Sequence, residues 1–383
     1  MVINALPYIA VLLAMSLLIK PYAEKCPTIG VKQFYLNGAR QINYRFMLII
    51  LAYIIYIVFS IFRKIEFSGE FNIGGTDAAG YADYFAGAVA PYLEYIKITP
   101  MEKGFTTINW ILRQFTSSYI FNLLFWHTLT FVLTIKFFQY LKFDKYSIFA
   151  GLLILTNLIS QFNTLRMSIG IAIGLIVLIN LGKKKWLKAL TLIIIAITIH
   201  NSGVILIPVW IVCLLIDKWN QFPIRKLVIY IGLGIIVSIF AIKIVTIIFA
   251  SSPKYEFYLG EKSSVAWGTD IAVFAIFVLS ILKYREMIEI NPFNKILILT
   301  LPVCLICIPL QYEISIIYRM TMYFMPVLFA LIPSLFKCYS KVRYSVSSIG
   351  IKVVLYGYMV FRTYSFFIEE GKYIGLPYVS ILF

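Results

Sequence analysis

Charge is the scarcest property of this sequence. Only 13% of its 383 residues are Asp, Glu, Lys or Arg, against roughly 25% in an ordinary globular protein, and that shortage excludes a soluble globular domain. Acids are scarcer than bases, 17 against 34, and there are two histidines. No Asp-x-Asp or clustered-carboxylate motif occurs, so the sequence offers no metal site of that kind. Of the five cysteines, Cys26, Cys213, Cys304, Cys307 and Cys338, most sit in or beside apolar runs. The Cys304-x-x-Cys307 pair has no further thiolate or imidazole nearby to complete a zinc site, which favours packing, and no disulfide framework is legible.

What the chain does have is apolar surface. Hydrophobic residues make up 61% of it and the mean hydropathy is +0.89. A bilayer core about 30 Å thick is crossed by roughly 20 apolar helical residues. The apolar runs lie near 2–19, 46–62, 119–141, 147–162, 168–182, 187–200, 202–216, 227–250, 269–282, 296–310, 316–336 and 349–366. They predict an all-α polytopic membrane protein with about 10–12 transmembrane helices. It would form a single integral membrane domain over 1–383, with one large extracytoplasmic loop at 63–118. The opening run lacks the positive segment of a cleaved signal and reads as the first span.

A net charge of +17 suits nucleic acid, anionic lipid or cytoplasmic lysines. Position decides among these. With twelve spans, the connections 20–45, 142–145, 183–188, 217–226, 283–295 and 337–352 share one side and hold 21 Lys and Arg, whereas the opposite connections hold 10. The positive-inside rule then puts both termini outside. Most of the charge is topological, and no nucleic-acid partner is implied.

Several polar features stand out on the expected outer side. In FNIGGTDAAGYADYF (71–85), glycines precede Asp77, with Tyr81 and Tyr84 at helical spacing. Asp77 is a candidate helix cap or base, and the aromatics fit either sugar stacking or a headgroup belt. In MEKGFTTINWILR (101–113), Glu102 is a candidate general base, Arg113 a candidate phosphate ligand and Trp110 a stacking surface; a solvated juxtamembrane turn is the alternative. Arg166 stands between two apolar runs with no acid near it in sequence. A guanidinium at such depth usually faces a protein interior or a water-filled cavity, unless it snorkels to the interface. His200 ends an apolar run just before Asn201 and Ser202, where an imidazole can take a hydroxyl proton or simply finish a helix, whereas His127 reads as structural. Arg319, in a segment with Glu313 and several tyrosines, repeats the Arg166 pattern. Asp77, Glu102, Arg166, His200 and Arg319 are expected to converge on one face.

These residues resemble the EpsG family of bacterial exopolysaccharide and O-antigen polymerases, the Wzy-like membrane glycosyltransferases. The resemblance rests on Gly75-Thr76-Asp77 with Tyr81 and Tyr84, then Glu102 and Gly104-Phe105, then Arg166 with Ile169 and Ala172, and finally His200-x-Ser202, all within 60–205. The family's arginine close before Gly-Thr-Asp has its counterpart here only well upstream, at Arg63-Lys64. The resemblance implies transfer of a glycan from undecaprenyl pyrophosphate to another lipid-linked repeat unit, at the outer face of the cytoplasmic (inner) membrane, by a multi-pass protein. It implies His200, Asp77 and Glu102 as candidate catalytic groups. Arg166, Arg319 and Arg113 become candidate pyrophosphate ligands, and Tyr81, Tyr84 and Trp110 candidate sugar contacts. No metal or other cofactor is expected. The expected partners are undecaprenyl-pyrophosphate-linked glycans and membrane lipids, with a chain-length regulator as a further candidate. A lipid-linked oligosaccharide flippase is the alternative, but it would be expected to show two similar halves, and no internal repeat is visible.

Overall fold

The computed structural model describes residues 2–23, 33–36, 39–68, 71–73, 75, 77–141, 147–217, 267–314, 317–340, 346–367 and 378–381. The expected span at 227–250, Thr76 and Cys26 lie outside the described residues. In chain order the helices are α1 (Val2–Ala23), α2 (Tyr44–Ile61), α3 (Ala78–Gly87), α4 (Tyr92–Ile98), α5 (Lys103–Phe115), α6 (Tyr119–Phe138), α7 (Ile148–Ser160), α8 (Leu165–Gly182), α9 (Trp186–Ile199), α10 (Leu206–Asp217), α11 (Trp267–Leu282), α12 (Tyr284–Ile290), α13 (Asn294–Glu313), α14 (Tyr318–Thr321), α15 (Met325–Ser340) and α16 (Val346–Ser365). Two short antiparallel hairpins interrupt them, Gln33–Leu36 with Ala39–Asn43 and Glu66–Ser68 with Phe71–Ile73.

Every apolar run of the sequence that falls within the described residues has become a helix. Among the described residues, five segments are long and apolar enough to cross a bilayer: Tyr44–Ile61, Tyr119–Phe138, Leu165–Gly182, Asn294–Tyr312 and Tyr318–Ser340. Shorter apolar helices accompany them at Ala5–Pro21, Ile148–Ser160, Trp186–Ile199, Asn201–Ile216 and Gly268–Leu282. The fold is therefore that of a helical, multi-pass membrane protein. The stretch 63–118, read from sequence as a loop, is folded: it contains the second hairpin and α3, α4 and α5.

Which face each helix buries follows from its composition. Helix α2 exposes Phe46, Met47, Ile50, Leu51, Ile54 and Val58 while burying Ala52, Tyr56, Phe59 and Ser60. A stripe of large apolar side chains turned outward is costly in water and neutral in lipid. Helix α8 is its opposite, buried from Met167 through Leu181, and packs chiefly on α9 and α6. Its Gly170 and Gly174, four residues apart, keep one face low enough for close approach. Helix α15 packs on α7 and α13, completing an apolar interior shared by α1, α7, α8, α13 and α15.

A polar network centred on His127 is buried in that interior. The Arg63 guanidinium, buried and set 4.1 Å above the Phe162 ring, donates to the Ser60 carbonyl and to His127 Nε2 at 3.2 Å. An arginine only donates, so His127 Nε2 is the acceptor and Nδ1 carries the hydrogen. It donates to Tyr56 Oη at 2.6 Å, and Tyr56 passes its own hydrogen to Gln161 Oε1 at 2.9 Å. Gln161 Nε2 then donates to Thr130 and to the Trp126 carbonyl. The structural reading of His127 is thus given a definite tautomer.

Candidate functional site

The site begins with three interruptions of helix. Helix α9 stops at Ile199 because His200 is extended (φ −154°, ψ 121°), and a 3-10 turn, Asn201–Ile205, follows before α10. The turn is tight enough that a Cβ on Gly203 would lie 2.9 Å from the Ala196 carbonyl carbon. Helix α8 starts at Leu165, just after the Gln161–Thr164 turn, so Arg166 leaves from its first turn. Helix α5 starts after Glu102, and Gly104 lets it abut α9: a Cβ there would lie 2.6 Å from Thr198 Oγ1 and 2.8 Å from the Thr198 carbonyl oxygen. That close approach, two residues from Glu102 and two from His200, brings the carboxylate to the imidazole.

Glu102 is the hub. One carboxylate oxygen accepts from His200 Nδ1 at 3.2 Å and from the Asn201 backbone N–H at 3.2 Å, and the other forms an ion pair with Arg166 Nη1. The Glu102 side chain is 7% exposed and that of Arg166 20%. Burial alone would push the carboxyl up; the His200 hydrogen bond, the Arg166 charge and the Asn201 N–H outweigh it and hold the pKa at about 2. Glu102 is therefore a fixed anion, unsuited to taking a proton near neutral pH.

His200 is the complement. Burial lowers its pKa below the usual value, opposed by the hydrogen bond and charge of Glu102 and assisted by Arg166 and Arg319. The ring is neutral near pH 7. Because an ionised carboxylate only accepts, Nδ1 bears the hydrogen and Nε2 holds the lone pair. Ser202 Oγ lies 3.3 Å from Nε2 and is placed to donate to it. A neutral imidazole with one nitrogen pinned and the other basic is arranged for proton abstraction.

Asp77 precedes α3 but forms no capping hydrogen bond with its side chain. Its backbone N–H donates instead to Asn163 Oδ1 at 3.0 Å. Gly75, with φ of +120°, seats this corner against the Phe162 carbonyl, where no Cβ fits. Asp77 is exposed as a residue, so the upward push that partial burial gives its carboxyl is discounted; the informative fact is that the charges of Arg319 and Arg166 both reach it. Arg319, on the short α14, also acts on His200. Tyr81, buried on α3, lies under Arg166, whose Cζ is 5.8 Å from the ring centre and whose Nε is 3.5 Å from the hydroxyl.

Tyr81, Glu102, Arg166 and His200 are thus in contact, and the charges of Asp77 and Arg319 act on the same group, which is drawn from five separate stretches of sequence. Three other sequence candidates are not brought to this cluster. Arg113 lies about three turns further along α5, with its guanidinium 5.8 Å from the Phe85 ring centre. Trp110 donates to the Ala90 carbonyl at 3.0 Å and packs edge-on against Tyr92. Tyr84 is half-buried on α3, its carbonyl taking the Tyr95 hydroxyl. Sequence reasoning missed Asn163 and Tyr323. Tyr323 lies against Gly170 beside His200, and the Gly170-x-x-x-Gly174 spacing was the available signal for a close contact there.

Comparison with known proteins comes to one positive finding: residues 54–378 match the EpsG family. The chain belongs to that family. No curated protein and no solved structure matches it. Membership covers the whole site, from Asp77 through Tyr323, and extends well past the 60–205 region that carried the resemblance in sequence. An EpsG-family chain with these apolar helices is a multi-pass membrane protein of polysaccharide biosynthesis.

Proposed function

We propose that this EpsG-family protein is a Wzy-type polymerase. It joins undecaprenyl-pyrophosphate-linked oligosaccharide repeat units by glycosyl transfer at the outer face of the bacterial cytoplasmic membrane. The observation that carries the reading is the Arg166–Glu102–His200 constellation: a poised neutral imidazole beside two guanidiniums in a membrane protein of glycan biosynthesis.

In the transfer, a hydroxyl oxygen of the acceptor sugar attacks the anomeric carbon of the donor glycan. The bond from that carbon to the pyrophosphate oxygen breaks, and its electron pair leaves with undecaprenyl pyrophosphate. His200 Nε2 takes the acceptor proton, and Glu102, accepting from Nδ1, stabilises the imidazolium that results. Arg166 and Arg319 bind the phosphates, where planar, forked donors suit the developing charge. Asp77 holds the two guanidiniums in position electrostatically, and the buried Tyr81 ring supports Arg166 from below.

The test is glycan profiling of a strain lacking the chromosomal gene and complemented with variants. Arg166→Ala and His200→Ala are expected to insert normally and to yield surface glycans of a single repeat. Wild-type ladders from both variants would overturn the assignment. Accumulation of lipid intermediates on the cytoplasmic face would point to a flippase instead.

A further inference from the structure

Tyr323 sits in a place where phenylalanine would be the simpler choice. The residue is 4% exposed, and its hydroxyl has no hydrogen-bond partner among the described residues. A buried hydroxyl left unmatched carries a desolvation cost that an isosteric Phe would avoid. The ring lies along α8. Its Cδ1 is 3.4 Å from where a Cβ on Gly174 would stand and its Cζ 3.3 Å from the same point on Gly170, with the hydroxyl closer still to Gly170.

Residues 166, 170 and 174 follow one another at a spacing of four, on one face of the helix. The phenol axis therefore runs along that face with its hydroxyl end toward Arg166. His200 Cβ lies 3.6 Å from the same Gly170 position, and the Glu102 carboxylate is near enough to act on the phenol electrostatically without bonding to it. Tyr323 also follows Arg319 by four residues. The placement along α8, beside His200, turns this one unmatched donor toward the Arg166 end of that face.

We infer that Tyr323 is a further substrate-binding residue, whose hydroxyl donates to a phosphate oxygen of the pyrophosphate received by Arg166 and Arg319. The inference rests on the polymerase reading for the identity of that anion. Two cations opposite a pyrophosphate leave oxygens to be satisfied, and a neutral donor does this without adding buried charge. Gly170 and Gly174 are then the residues that make room for it.

The experiment uses full-length protein in lipid nanodiscs, titrated with undecaprenyl pyrophosphate and with uncharged undecaprenol. Tyr323→Phe is expected to weaken pyrophosphate binding about tenfold or more, the range of a hydrogen bond to a charged group. Undecaprenol binding is expected to hold and thermal stability to rise, since the unmatched hydroxyl is gone. Gly170→Ala, which drives a methyl into the hydroxyl, is expected to lose stability, and Gly170→Ala/Tyr323→Phe to recover stability without recovering pyrophosphate binding. Unchanged pyrophosphate affinity in Tyr323→Phe, or full binding in the double variant, overturns the inference. An equal loss for undecaprenol does so too, since it would place the hydroxyl's effect on the lipid tail. An Arg166→Ala arm separates the two readings. If it weakens pyrophosphate binding while Tyr323→Phe does not, only the tyrosine inference falls; if neither does, the pyrophosphate reading falls as well.

Discussion

Glu102 and His200 meet across 98 residues of sequence, carboxylate to Nδ1 at 3.2 Å, and that contact fixes which nitrogen of the imidazole is free to act. The same carboxylate neutralises Arg166, so one acid orients the candidate base and positions the candidate anion ligand.

Glu102→Gln removes the negative charge while keeping the shape. The His200 proton is no longer stabilised and Arg166 loses its counter-ion, so chain extension should fall by about 10²–10⁴-fold, the range of positioned acid-base groups. In vitro extension by membranes from the variant strain measures it. Activity within threefold of wild type would remove Glu102 from the mechanism.

The pH dependence has a definite sign. With its pKa lowered by burial, His200 stays neutral down to a pH below the ordinary 6.5, so the acid limb of the wild-type rate should lie below 6.5. Glu102 raises that pKa, and its replacement by Gln should therefore move the limb lower still, even as the rate drops. For Glu102 itself the folded pKa is the depressed one. Its contribution to stability is complete above the unfolded value of 4.5 and is lost as pH falls toward about 2. A rate-pH profile together with melting curves between pH 3 and 7 reads both.

Gly104→Ala should act on the site from outside it. The added methyl meets Thr198 at 2.6 Å and its backbone oxygen at 2.8 Å, which forces α5 off α9 and draws Glu102 from His200. Loss of long chains is expected, by at least tenfold. Gly80→Ala is the control: nothing lies within 4 Å of its Cβ position, and the better helix former should add up to about 1 kcal/mol of stability with chain length unchanged.

Arg166→Lys keeps the charge and loses the fork. Lysine cannot span Glu102 and a phosphate with fixed geometry, so the ladder should shorten nearly as much as in the alanine variant. Retention of full-length chains would show that charge alone suffices.

Tyr56→Phe tests the interior network rather than the site. It leaves the His127 Nδ1 hydrogen without its acceptor, at a cost of about 1–3 kcal/mol. Detergent-solubilised protein should melt earlier, with glycan length in cells preserved where expression is matched.

The helices were legible because nothing but lipid-facing or interior helix suits such long apolar runs, and Arg166 and His200 were legible because each is an oddity at the end of one. Their partners were not. The Arg166–Glu102 pair spans 64 residues, and nothing local in MEKGF says which distant helix end Gly104 will touch. Arg113 and Trp110 have the right chemistry for the site, but the straightness of α5 carries them away from it, a matter of helix rise rather than residue type. Tyr323 is one of 27 tyrosines, and only the geometry shows that its buried hydroxyl is unmatched, a property it shares among the described residues with Tyr358.

The buried row running from Arg63 through His127 and Tyr56 to Gln161 has a polarity set from one end. Each hydrogen points away from Arg63, and to reverse the row the guanidinium would have to accept a hydrogen, which it cannot do. It ties α2, α6 and α7 together by hydrogen bonds whose sense a single side chain dictates, so Arg63 imposes one shared orientation on His127, Tyr56 and Gln161 as well as contributing a buried charge.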